Sequence, residues 1–172
     1  MKVYTPDYIK EISDENKDMQ MLARCSLFLA GTIDNGDSSD WQNELIEWLS
    51  EYGMPDVTIY NPRRKYWNEN ASIEEQYNQI DWEQNFLDEC DYIIMVLKEN
   101  SKSPISLMEL GQYAQSGKLI VFCNENFYRY QNVKYVCEKE SITLKTDLSI
   151  EAIGKYIVYL LGVDEIIQNL EL

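Results

Sequence analysis

The sequence predicts an α/β fold: one domain over residues 1–172, built as a doubly wound parallel sheet of about five strands flanked by helices. Three observations carry this. Apolar runs of four to six residues recur along the chain, amphipathic stretches of helical period lie between them, and glycines stand where those stretches end.

The elements follow in order. The first 22 residues form an N-terminal extension, "MKVYTPDYIKEISDENKDMQ" and on, with neither the apolar core nor the cleavage site of a signal peptide. A cytoplasmic location is expected. "SLFLAG" (26–31) is the first strand, near-continuously apolar as in a strand covered on both faces. "DWQNELIEWLSEYG" places Trp41, Leu45, Trp48 and Leu49 along a helix, with Gly53 where a C-terminal cap belongs. "VTIY" (57–60) is the second strand. In the helix "SIEEQYNQIDWEQNFLDEC", Ile80, Glu83, Leu87 and Cys90 share one stripe, which turns Glu83 inward and leaves Asp81 to solvent. "YIIMVL" (92–97) and "LIVFC" (119–123) are the third and fourth strands, separated by the helix "ISLMELGQYAQSG" with Gly117 at its cap. "SITLK" adds an edge strand, and residues 148–172 close the domain with one or two helices. The repeated strand-then-helix order is that of a Rossmann- or flavodoxin-like sheet.

Composition narrows the function. Hydrophobic residues make up 45% and aromatics 12%, as in a globular chain, and no apolar run approaches the ~20 residues of a membrane helix. Cys25, Cys90, Cys123 and Cys137 form no C-x-x-C pair and read as buried, reduced thiols. The chain has no histidine, which excludes Ser-His-Asp and Cys-His nucleophiles and His-ligated metals. Acid–base work falls to carboxylates, tyrosines or lysines, and no cofactor is expected. A formal net charge of −15 argues against binding polymeric nucleic acid, yet it fits an acidic decoy that mimics one.

Ligands of such sheets bind beyond the carboxyl ends of the strands. There the first loop has Gly31 and Gly36 but neither the dinucleotide nor the P-loop glycine pattern. Glu109 has two readings. Ser106-Leu-Met-Glu109 satisfies a capping box, and the same location at a helix N-terminus would keep a carboxylate ionised and aimed at a ligand. Arg63, Arg64 and Lys65, beside Tyr66 and Trp67, are either a solvated surface or the flank of an aromatic-walled pocket.

With these residues assembled, "FLAGTI", "NPRR", "QIDWEQNFLDECDYIIMVL" and "SPISLMELGQYAQSGKLIV", covering residues 26–123, resemble in order and spacing the nucleoside 2-deoxyribosyltransferase family and its deoxyribosyltransferase-like branch. The resemblance implies that Glu109 is a nucleophile attacking the anomeric carbon of a nucleoside or nucleoside 5′-monophosphate. It puts Glu83 in contact with the leaving base, which agrees with the helical phase. It further implies substrate contacts at Gly31, Thr32, Asp34, Asn61, Arg63, Trp82, Ser103 and Ser106. Phe28 or Leu27 stands where the family usually has a tyrosine, and Ser103 stands where transferases commonly have an aspartate, as in related nucleotide hydrolases. Asp34 occupies the place of an arginine in those hydrolases. Hydrolysis is therefore expected ahead of transfer, with a catalytically silent nucleotide-binding module as the alternative. The apolar tail "YIVYLLGVDEIIQNLEL", together with the family's shared sites, predicts a homo-oligomer.

Overall fold

The computed structural model of the chain describes residues 1–8, 25–33, 38–52, 57–65, 68 and 70–162. Among these residues, six parallel strands form one sheet in the order β1-β3-β2-β4-β5-β6. They are β1 (Lys2–Tyr4), β2 (Cys25–Gly31), β3 (Val57–Tyr60), β4 (Tyr92–Leu97), β5 (Leu119–Cys123) and β6 (Thr143–Lys145). The predicted α/β, doubly wound sheet is the observed one. The four apolar runs become the interior strands, and every residue of β3 and β5 is buried. In register, Leu27 faces Ile59, Leu29 faces Ile94 and Met95 faces Val121. The "SITLK" stretch supplies the edge strand β6. At the opposite edge β1 is an addition that the sequence reading did not name. Its three residues are too few to show a period, and pairing with β3 through Lys2 and Thr58 makes it a strand.

The helices divide between the two faces. Helices α1 (Trp41–Glu51) and α5 (Ile150–Leu160) cover one, burying Trp41, Leu45 and Leu49 against Ile153, Ile157 and Val158. They approach so closely that a Cβ on Gly154 would lie 2.2 Å from the Trp48 ring. Helices α2 (Ile73–Glu89), α3 (Pro104–Tyr113) and α4 (Tyr130–Glu140) cover the other face, burying Phe86, Leu87, Leu110, Tyr113 and Val133.

Three expectations are corrected. The inward stripe of α2 is Trp82, Phe86 and Leu87, ending at Cys90, and Ile80 is not part of it. The helix buries no side chain before Trp82, so Ile80 stays 50% exposed although its phase is near the core. Glu83 keeps a half-buried place at the stripe's edge and Asp81 is exposed. Second, α3 starts at Pro104 with Ser103 as its N-cap, so Ser106 is the third residue of the helix and Glu109 the sixth. A capping box at Ser106 is thereby ruled out, because Glu109 lies in the second turn, away from the orphan N–H groups. Third, that location also removes Glu109 from the helix N-terminus expected to keep it ionised.

All four cysteines are free and buried, as read from the sequence. Gly117 has a positive φ of 74°, but α3 ends at Tyr113 with Ala114 as its C-cap, so the glycine lies three residues past the cap, in the turn before β5, and is not the cap expected from the sequence; Gly53 and residues 163–172 lie outside the described residues. No helix among the described residues is long and apolar enough to cross a membrane.

Candidate active site

Strands β2 and β4 are neighbours whose outgoing chains turn to opposite faces, one into α1 and the other into α3. That is the switch point of a doubly wound sheet, where a crevice opens. Gly31 ends β2 at φ 126°, and a Cβ there would lie 2.1 Å from the Val96 carbonyl oxygen. Only glycine lets the two strands approach and the loop begin. Thr32 follows, 1% exposed and fully engaged: its N–H donates to the Val96 carbonyl (2.8 Å), its Oγ1 accepts from the Lys98 N–H (3.1 Å), and its carbonyl accepts from Trp41 Nε1 (3.0 Å).

The Thr32 hydroxyl also meets Ser103 Oγ at 2.9 Å, and Ser103 Oγ meets Ser101 Oγ at 2.6 Å. This buried hydroxyl chain explains why Ser103 caps α3 without a side-chain hydrogen bond to it and holds a left-handed φ of 41°. Thr32 and Ser101 line a cavity of about 630 Å³ shared with Ser38, Ser39, Lys98 and Asn124. Within it Lys98 Nζ donates to Ser39 Oγ at 2.6 Å. Burial holds the ammonium below its usual range, with Glu44 opposing and Arg63 reinforcing that shift. Glu99 also lines the cavity, so the half-buried cation among hydroxyls and amides suits a hydroxyl-rich ligand, or one whose anionic group is held at Lys98 away from that carboxylate.

The two carboxylates, Glu83 on α2 and Glu109 on α3, are not among the residues that line this cavity. Ser106, Glu109, Leu110 and Tyr113 are the buried residues of α3, spaced as one helical stripe. Glu109 is 7% exposed, and among the described residues its carboxylate has no hydrogen-bond partner. Burial, and then the charge of Glu83, push its pKa up from 4.5 to about 7. Burial also raises Glu83, against a hydrogen bond from Gln79 (2.8 Å) and the charge of Arg64. The helices are joined alongside by Gln112 Nε2 donating to Gln84 Oε1 (2.7 Å) and by the Tyr113 hydroxyl donating to Asp88 (2.7 Å). Two desolvated carboxylates that feel each other's charge have separated proton affinities, which suits one to attack and the other to carry a proton. Phe28, on the same face and 6.2 Å from the Trp82 ring, occupies the tyrosine's place in the resemblance; Leu27 belongs to the opposite core.

The other sequence-predicted residues separate into two groups. Trp82 is 5% exposed and close to Glu83, its ring 4.8 Å from Phe86. Ser106 is buried on the Glu109 stripe. Asn61 and Arg63 instead organise the first loop. Asn61 Oδ1 accepts from the Arg63 N–H (3.0 Å), and the Arg63 guanidinium donates to the Ser38 carbonyl (2.6 Å) and pairs with Asp40 (3.6 Å). Asp34 lies outside the described residues.

Lys98, Ser38, Ser39, Ser101 and Asn124 were not singled out from sequence. A signal existed for Lys98, the first residue after the apolar run of β4 and hence at the strand's carboxyl end. The serines of the first loop offered no pattern. Arg64 was seen only as one of a basic cluster, yet its charge acts on Glu83.

A profile of the family described as "nucleoside 2-deoxyribosyltransferase like" matches residues 24–127, more than half of the chain. That range runs from β2 through β5 and includes Thr32, Glu83, Lys98, Ser103 and Glu109. No curated protein matches the chain.

Proposed function

The chain belongs to the nucleoside 2-deoxyribosyltransferase-like family, and on that premise we propose that it is an enzyme that cleaves the N-glycosidic bond of a nucleoside or nucleoside 5′-monophosphate. Glu109 is the nucleophile. Its ionised oxygen forms a bond to C1′ while the C1′–N bond breaks, and Glu83, holding the one proton that the pair shares when Glu109 is ionised, gives it to the departing base. Water then attacks C1′, frees Glu109 and completes a hydrolysis; a second base in place of water would complete a transfer. The observation that supports this most is the pair of buried carboxylates on neighbouring helices, one of them without a hydrogen-bond partner among the described residues and raised to about 7. The sugar's 5′ end extends into the cavity that holds Lys98, where a phosphate would meet a cation and hydroxyls.

The domain works as one unit over residues 1–172, as a homo-oligomer. In support, Ile73 and Tyr77 on α2 and Ile105 and Met108 on α3, the helices that carry the carboxylates, are 58–73% exposed. We assign it to the cytoplasm, where four free thiols are stable. Phe28 favours a second reading, a silent nucleotide-binding module, because no hydroxyl stands beside the carboxylates at that position. The test is a panel of deoxynucleosides and their monophosphates assayed for free base. Release from any of them supports the enzyme, and no release with a nucleotide-dependent rise in melting temperature supports the binding module.

A further inference from the structure

Lys98 and Glu99 follow each other at the carboxyl end of β4, and both line the cavity of about 630 Å³. They are held toward opposite neighbours. Lys98 Nζ donates to Ser39 Oγ (2.6 Å) in the loop after β2, whereas Glu99 Oε2 accepts from Asn126 Nδ2 (3.3 Å) in the loop after β5. Strands β2 and β5 flank β4, so the cation is drawn to one side of the cavity and the carboxylate to the other. Asn126 also donates its N–H to Asn124 Oδ1 (2.8 Å), which ties the partner of the carboxylate to a second lining residue. The nearby Arg63 guanidinium is committed to the Ser38 carbonyl and to Asp40. Among the described residues that line it, the cavity thus offers a ligand one positive charge and one negative charge.

Resting on the glycosidic-bond reading above, we propose that Glu99 selects the substrate's 5′ group: the cavity takes the uncharged hydroxyl of a nucleoside and turns away the 5′-phosphate of a nucleotide. A phosphomonoester carries a charge of about −1.5 to −2 at pH 7, more than Lys98 alone balances. A compact cavity of about 630 Å³ is roughly 11 Å across, about one Debye length at 0.1 M salt, so a phosphate held at Lys98 still feels the Glu99 charge. Glu99 is exposed, which limits that repulsion to the scale of a surface pair. A 5′-hydroxyl meets no such conflict. It accepts from the Lys98 ammonium or donates to the Glu99 carboxylate, and being neutral it brings no charge for either to oppose. On a phosphate the two residues act against each other, and on a nucleoside neither charge weighs.

The test measures binding calorimetrically on Glu109→Gln, in which turnover is arrested, and on the same protein with Glu99→Gln added. The probes are deoxyadenosine, deoxyguanosine, deoxycytidine and thymidine, each against its own 5′-monophosphate. At about 0.1 M salt, each nucleoside that binds should do so about threefold or more tightly than its monophosphate. With Glu99→Gln the preference should fall to parity or reverse, and in about 1 M salt, where the Debye length is about 3 Å, it should shrink. Melting temperatures report whether the fold is intact. A monophosphate that binds as tightly as its nucleoside, a preference unmoved by Glu99→Gln or by salt, or no nucleoside binding would overturn the proposal. Base release by wild type from the same compounds separates the two readings. No release from any, with the Glu99-dependent preference intact, removes the enzyme and keeps the selection; faster release from the monophosphates removes the selection and keeps the enzyme.

Discussion

Replacing Glu109 with glutamine should make the protein more stable, and more so at higher pH. The carboxyl is 7% exposed, and burial with the Glu83 charge raises its pKa from 4.5 to about 7. A folded state that holds its proton more tightly than the unfolded chain loses stability as pH rises between those two values. At pH 8 the shift amounts to about 3 kcal/mol, at about 1.4 kcal/mol per pK unit; at pH 5 less than about 1 kcal/mol of it has accrued. Glutamine has the same shape and no charge, so Glu109→Gln recovers this difference. For a chain of this size the gain is about 6–12 °C in melting temperature at pH 8 and only a few degrees at pH 5. Thermal melts of both proteins at the two pH values measure it. A variant that melts at or below wild type at pH 8, or whose gain does not shrink on acidification, would refute the argument that Glu109 is a desolvated carboxylate.

Base release by wild type should fall as pH rises through about 7, where the pair gives up the proton that Glu83 must deliver, and Glu83→Gln, which removes both that proton and the charge acting on Glu109, should lose this falling limb while slowing release about a hundredfold; pH–rate profiles of both proteins measure this. Gly31→Ala should cost more than about 3 kcal/mol in denaturant unfolding, because the new Cβ meets the Val96 carbonyl at 2.1 Å and φ is 126°. Lys98→Met should raise KM about tenfold or more for a nucleoside monophosphate and leave the matching nucleoside nearly unchanged, read from paired steady-state kinetics.

Much of this architecture was legible because parallel strands covered on both faces leave unbroken apolar runs, as in β3, β4 and β5. The helices were harder. Phase alone put Ile80 inward, but burial on α2 begins at Trp82, and where a helix first meets the core is a tertiary fact that periodicity does not contain. The S-x-x-E pattern misplaced the start of α3, which Pro104 at its first position and Ser103 in a left-handed conformation determine. Glu109 was found as a candidate, yet its environment was read with the wrong sign, since desolvation outweighs any helix-terminal stabilisation in the second turn. Its place on the stripe of Ser106, Leu110 and Tyr113 was the better signal. The hydrogen bonds from Arg63 to Ser38, which lines the cavity, span 25 positions, and no local pattern reports them.

The central claim is that Glu109 attacks the sugar, and the most direct measurement is the initial rate of base release by wild type and Glu109→Gln under the same conditions at pH 8. Removing the attacking oxygen anion from a folded protein should lower the rate by about a thousandfold or more, with the melting temperature at or above that of wild type. A Glu109→Gln protein that releases base at the wild-type rate would contradict the mechanism and leave Glu109 as a buried carboxylate with no part in the chemistry.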